Sequence, residues 1–231
     1  GATSLLPKFV DDMEMKMEYF DHCFVEGDTL ETSDVVNGGA ELFLYQSGYL
    51  TIKGYDDGVY ILGFPNFEVR KALYRVVVPA LTMKSNSEVV SAQSFLRKMM
   101  QDGNTAEAKK ALKALIADVP YSNKKMASMD MEERYRLIMS TIFRALGFRV
   151  EVERMLATGR IDMIVEVPSF IYVLELKLSN NGGISAAESQ IKEKSYTEPF
   201  KADKRKVIAL AVELDETGKG LIDWKEVDES L

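Results

Sequence analysis

At 231 residues the chain is long enough for one or two domains, and 46% hydrophobic with 28% charged residues is the balance of a folded globular protein, not a disordered one. The net charge of -7 excludes a generally adhesive nucleic-acid surface, and no apolar run approaches the roughly 18 to 20 residues of a membrane span. One cysteine, Cys23, cannot form an internal disulfide, and the lone histidine beside it, His22, excludes the usual zinc sites, so Cys23 reads as a small core residue.

With no secretory leader, the expected location is cytoplasmic. Residues 1–24 read as a leading helical segment with Leu5, Leu6, Phe9 and Val10 on one face. Residues 25–130 read as a mostly helical, winged-helix-like domain. Thr29, Thr32 and Ser33 are candidate caps, and residues 40–48 read as a helix ended by Gly48. Tyr49 to Ile52 and Val59 to Leu62 read as strands around a turn at residues 54–58. Such a unit either packs and connects or reads DNA, although clustered Lys and Arg to meet phosphates are scarce in it. Residues 68–81 predict a helix, and residues 87–117 predict two antiparallel helices broken at Asp102-Gly103-Asn104. The boundary is expected at residues 120–131.

Residues 131–231 change rhythm. Glu132 to Leu146 predicts an amphipathic helix with Tyr135, Ile138, Ile142 and Leu146 along its stripe, ended by Gly147. Strands are expected at 149–155, at 159–167, at 170–178 and at 206–214, with Ser185 capping a helix that runs to Tyr196 and a short last strand at 221–224. The order helix, three strands, helix, strand makes the fold class α/β (α+β), with an αβββαβ core.

Within it, residues 159–178 form an apolar hairpin turned at Pro168-Ser169 and interrupted by Asp162, Glu175 and Lys177. A hairpin symmetric about that turn pairs Val167 with Phe170 and puts Asp162 opposite Glu175, while Glu175 and Lys177 share a face. Two acids and a lysine inside a sheet call for a cation, and hard carboxylate oxygens suit Mg²⁺ or Mn²⁺. Lys177 would then orient or help deprotonate a water, or neutralise charge on a phosphorus centre.

The series Gly159-Arg160-Ile161-Asp162, then Glu175-Leu176-Lys177, then a helix carrying Gln190, Lys192, Lys194 and Tyr196 resembles the PD-(D/E)xK nuclease superfamily, whose core is restriction-endonuclease-like. More closely, it is similar to the nuclease-like C-terminal part of a bacterial group of AAA-ATPase-like proteins, a likeness that residues 44–53 and 62–70 extend upstream. No GxxxxGK[ST] phosphate loop is present, so an ATPase module would act in cis on a longer chain or in trans, with residues 2–12 matching that module's last helix.

The resemblance implies a Mg²⁺- or Mn²⁺-dependent DNA nuclease with Asp162 and Glu175 as metal ligands and Lys177 as the catalytic lysine. Glu133 either completes the metal shell or is a solvated charge at the helix start. Gln190, Tyr196, Arg160 and Lys194 are the implied nucleic-acid contacts, with packing open for Tyr196 and strand capping open for Arg160. The local basic track runs through Lys192, Lys194, Lys201, Lys204, Arg205 and Lys206. The rival readings are a catalytically silent nuclease-fold arm of an ATPase and a winged-helix DNA-binding regulator.

Overall fold

A computed structural model of the chain describes residues 19–32, 38–82, 84–117 and 130–228. Most of the leading helical segment, Ser33 and most of the expected boundary at 120–131 lie outside these residues. Contacts divide the chain into two compact units, Gly1–Ala80 and Leu81–Leu231.

In the first unit, β1 (Cys23–Glu26) is followed by the short helix α1 (Gly27–Glu31), α2 (Gly39–Gln46), the hairpin β2 (Thr51–Asp56) and β3 (Val59–Gly63), and α3 (Phe67–Thr82). The strands form an antiparallel sheet in the order β1-β3-β2. The hairpin turn is tighter than expected. Asp57 and Gly58 take φ of 43° and 84°, the left-handed pair of a two-residue loop, so β2 continues through Gly54 up to Asp56. Gly48, at φ 81°, ends α2 as expected. Thr29 lies inside α1, and Thr32 is at that helix's C-terminal end. Phe20, Cys23, Leu42, Leu44, Leu62 and Leu73 are fully buried, so Cys23 is a packing residue of this core.

The second unit contains α4 (Asn86–Asp102), α5 (Thr105–Ile116), α6 (Met131–Ala145), β4 (Arg149–Leu156), β5 (Gly159–Glu166), β6 (Phe170–Leu178), α7 (Gly183–Lys194), β7 (Lys206–Leu214) and β8 (Leu221–Val227). The five strands lie in chain order, antiparallel except for β6 and β7, which run parallel across the α7 crossover. This is the expected α/β class. A strand pair buried on both faces needs an unbroken apolar run, and β6 and β7 have one. Ile171, Val173, Ala209 and Ala211 pack with Ala187, Ile191 and Tyr196 in one buried cluster.

Two local expectations change. Helix α7 begins at Gly183, ahead of Ser185, and the Ile184 amide at its first turn donates to the Glu213 carboxylate at 3.4 Å. The unit also begins well before residue 130, because α4 and α5 are seated on the sheet. Tyr172 Oη donates to the Met100 carbonyl at 2.6 Å, Trp224 Nε1 donates to the Thr105 carbonyl at 3.0 Å, and Lys109 pairs with Asp223 at 2.6 Å. Contacts between residues more than seventy positions apart leave no trace in local sequence pattern, which is why the boundary read at 130 differs from the observed division.

Gly103 is the hinge of this seat. Its φ is 72°, and a Cβ there would lie 2.5 Å from the Phe170 ring. Left-handed strain of about 1 kcal/mol adds to an overpacking cost of about 1 kcal/mol or more. Gly103→Ala is therefore expected to destabilise the protein by about 2 kcal/mol in a denaturant or thermal melt.

Candidate active site

The hairpin β5–β6 is as symmetric as its sequence predicts. The Val167 amide donates to the Phe170 carbonyl at 3.0 Å, and the register runs through Met163 opposite Leu174. One step further, Asp162 lies across from Glu175, where regular pairing has ended and the Asp162 side chain takes over. Its Oδ2 accepts the Leu176 amide at 2.9 Å. Asp162 is 3% exposed and Glu175 is fully buried. Leu176, between Glu175 and Lys177, is buried on the opposite side of the strand.

Lys177 Nζ donates to Glu175 Oε1 at 2.7 Å. Glu175 Oε2 is buried with no hydrogen-bond partner among the described residues. Burial, then the neighbouring Asp162 charge, push the Glu175 carboxyl up to about 8, against the opposing pull of Lys177. For Lys177, burial works against the charged form, but Glu175, Asp162 and Glu132 together raise it above the ordinary lysine value. Two adjacent acids, one with an oxygen lacking a donor, need either a proton or a cation between them.

That orphaned oxygen is the test of whether a metal fits, and the donor set passes it. Among the described residues no group of three His, Cys, Asp or Glu side chains converges as a ready cage. Mg²⁺ typically uses only one or two protein carboxylates and fills the rest with water and substrate oxygens, so Asp162 and Glu175 suffice.

Of the two readings of Glu133, its exposure agrees with the solvated charge at the helix start, and the acid of this helix that lies toward the pair is Glu132. Glu133 is exposed, whereas Glu132 is half-buried and close enough to Lys177 and Asp162 for its carboxyl to feel both. Burial raises Glu132 above the usual carboxylate range, with Asp162 adding to the rise and Lys177 and Arg136 opposing it. The signal was present in the helical period: Glu132 is three residues before Tyr135 and borders the buried stripe, while Glu133 lies a further 100° round the helix.

Of the four expected nucleic-acid contacts, Tyr196 is 1% exposed and belongs to the core. Its hydroxyl donates to the Arg160 carbonyl at 2.7 Å and accepts Gln190 Nε2 at 3.0 Å. Burial raises the Tyr196 phenol above its usual value, so it stays a donor. Gln190 and Tyr196 thus brace the backbone two residues from Asp162. Arg160 and Lys194 are exposed. Arg160 Nη1 pairs with Glu153 at 2.8 Å, and the Lys194 carbonyl accepts the Thr158 hydroxyl at 2.9 Å. Two residues with no sequence signal join the site: Arg136, with Nη1 at 3.7 Å from Asp162 Oδ1, and Glu153, whose Oε1 is 3.1 Å from Arg136 Nη2.

A sequence model of the PD-(D/E)XK nuclease superfamily matches residues 130–224, which contain this site. Over 216 residues the chain is 26% identical to an uncharacterized protein in the vnfD 5′ region of Azotobacter chroococcum mcd 1, covering 87% of the chain and 40% of that relative's length. No solved structure matches the chain. Among the described residues no helix is long and apolar enough to cross a membrane.

Two outcomes follow from the geometry. A folded-state carboxyl raised above its unfolded value binds its proton more tightly in the native protein, so its contribution to stability falls as pH rises from about 4.5 to about 8. Glu175→Gln removes that loss, and its melting temperature relative to the parent protein is expected to climb between pH 5 and pH 9. In Mn²⁺ titration calorimetry, Glu132→Gln is expected to weaken binding severalfold, with Glu133→Gln unchanged.

Proposed function

We propose that residues 130–224 act as a Mg²⁺- or Mn²⁺-dependent phosphodiester hydrolase on DNA. The observation that carries this reading is the opposed, buried pair Asp162 and Glu175 with Lys177 hydrogen-bonded to one of them, inside the segment matched by the nuclease superfamily. A divalent cation bound by the two carboxylates would supply Lewis acidity to a phosphoryl oxygen and acidify a water.

The chain's own residues divide the remaining tasks. Lys177, held charged by its acidic neighbours, serves as a donor that orients water and offsets charge on phosphoryl oxygens, a role that suits it better than general base. Glu175, whose carboxyl is raised by burial and the Asp162 charge, would ionise more readily with a cation between the two acids, and its Oε2 is the oxygen with no other partner to satisfy it among the described residues. Gln190 and Tyr196 fix the strand that presents Asp162. Arg160 and Lys194, exposed nearby, meet the phosphates of the bound strand, a local contact compatible with a chain of net charge -7.

Two wider roles extend the proposal. The order strand, two helices, hairpin, with sheet order β1-β3-β2, supports a winged-helix reading of the first unit, as a connector or a DNA-binding part. The chain spans 40% of its relative's length, and the reading as a nuclease-like arm of an AAA-ATPase-like protein rests on the sequence resemblance.

Purified protein with Mg²⁺ or Mn²⁺ is expected to cut DNA, and Lys177→Ala or Asp162→Asn to slow cutting by about 10² or more with unchanged circular dichroism. Variants as active as the parent would remove the assigned roles. Mn²⁺ binding that depends on Asp162 and Glu175, without any cutting, would favour the silent arm.

A further inference from the structure

Glu153 takes φ of 53° in the middle of β4, a left-handed conformation rare outside glycine, asparagine and aspartate. Val152 pairs with Met163 and Arg154 with Ile161, so Glu153 stands opposite Asp162 at the one step where the β4–β5 ladder is interrupted. Its carboxylate takes Arg136 at 3.1 Å and Arg160 at 2.8 Å through the same oxygen. Arg136, with a side chain only 12% exposed, is thereby shared between two acids, and its distance to Asp162 Oδ1 is 3.7 Å, beyond hydrogen-bond reach.

We infer that Glu153 is a positioning residue that holds the Arg136 guanidinium back from Asp162 and so keeps Asp162 Oδ1 open to a divalent cation. The inference rests on reading Asp162 and Glu175 as the cation's ligands. An arginine that closed fully on Asp162 would form a charge-assisted hydrogen bond in a mostly buried place and compete with the cation for the same oxygen. The left-handed backbone of Glu153 costs stability, and the ties to Arg136 and Arg160 are what it secures.

The experiment is Mn²⁺ titration calorimetry on the full chain, at one pH and ionic strength, with the parent protein, Glu153→Gln, Arg136→Gln and the double variant. Moving a unit charge from 3.7 Å to hydrogen-bond distance corresponds, at an effective dielectric constant of about 20, to roughly a fivefold to tenfold change in affinity. Glu153→Gln is expected to weaken Mn²⁺ binding by about that factor. Simple removal of a nearby negative charge would also weaken it, so the decision lies in the coupling. Arg136→Gln is expected to tighten binding much more in the Glu153→Gln background, where Arg136 sits on Asp162, than in the parent protein. Equal gains in the two backgrounds overturn the inference, as does unchanged affinity in Glu153→Gln. Glu153→Asn, which tolerates the left-handed backbone, is the second variant should Glu153→Gln fold poorly, and the same coupling is expected with it. A parent protein that takes up no Mn²⁺ overturns the metal reading of the site together with this inference, whereas parental binding with additive variants overturns the inference alone.

Discussion

Everything at the candidate site depends on keeping two carboxylates opposed across a β-hairpin that is otherwise closed to water. Asp162 and Glu175 face each other only because the Pro168-Ser169 turn holds one register. A slip of one residue would set each acid opposite an apolar neighbour in a sheet buried on both faces, and part the two carboxylates. The surrounding groups are arranged to tolerate this repulsion. The Leu176 amide takes one oxygen of Asp162, Lys177 takes one oxygen of Glu175, and Arg136 stands off at 3.7 Å. Removing any of these leaves charge buried without compensation, which costs more than the lost contact itself.

The rigidity behind the hairpin comes from both faces of the sheet. Helix α7 covers β6 and β7 with Ala187 and Ile191, and Tyr196 just beyond it is hydrogen-bonded to the strand that carries Asp162. The α4–α5 pair contributes through Tyr172, Phe170 and Trp224. A site on central strands, fixed by packing on both sides, holds its geometry more closely than one built on loops. The two aromatic hydroxyls of Tyr172 and Tyr196 both end on backbone carbonyls, so the polar ends of these buried rings are satisfied.

Local rules made much of this legible in the sequence. A two-residue turn between apolar runs predicts a register, and with it the meeting of Asp162 and Glu175. The helical period of α6 was equally readable, and its apolar stripe leaves Glu133 on the exposed face, in keeping with the solvated charge that was one of its two readings. Tyr196 was legible as an aromatic near the site, and its burial decides between contact and packing in favour of packing. What stayed hidden required long-range partners. Gly103 looks like an ordinary helix break until Phe170 is placed against it, and Glu153 looks like a solvated strand residue until its backbone and its two arginines are seen. The division of the chain near Ala80 was hidden for the same reason, since α4 and α5 join β6 and β8 across long stretches of sequence.

Trp224 is the chain's single tryptophan, 4% exposed, with its indole N–H tied to the Thr105 carbonyl at the start of α5. Its position makes it an optical reporter built into the seam between β8 and α5. The intrinsic indole emission of this protein reads the docking of that helix on the sheet, with no second tryptophan to blur the signal. A shift of that emission to longer wavelength would follow water reaching the seam.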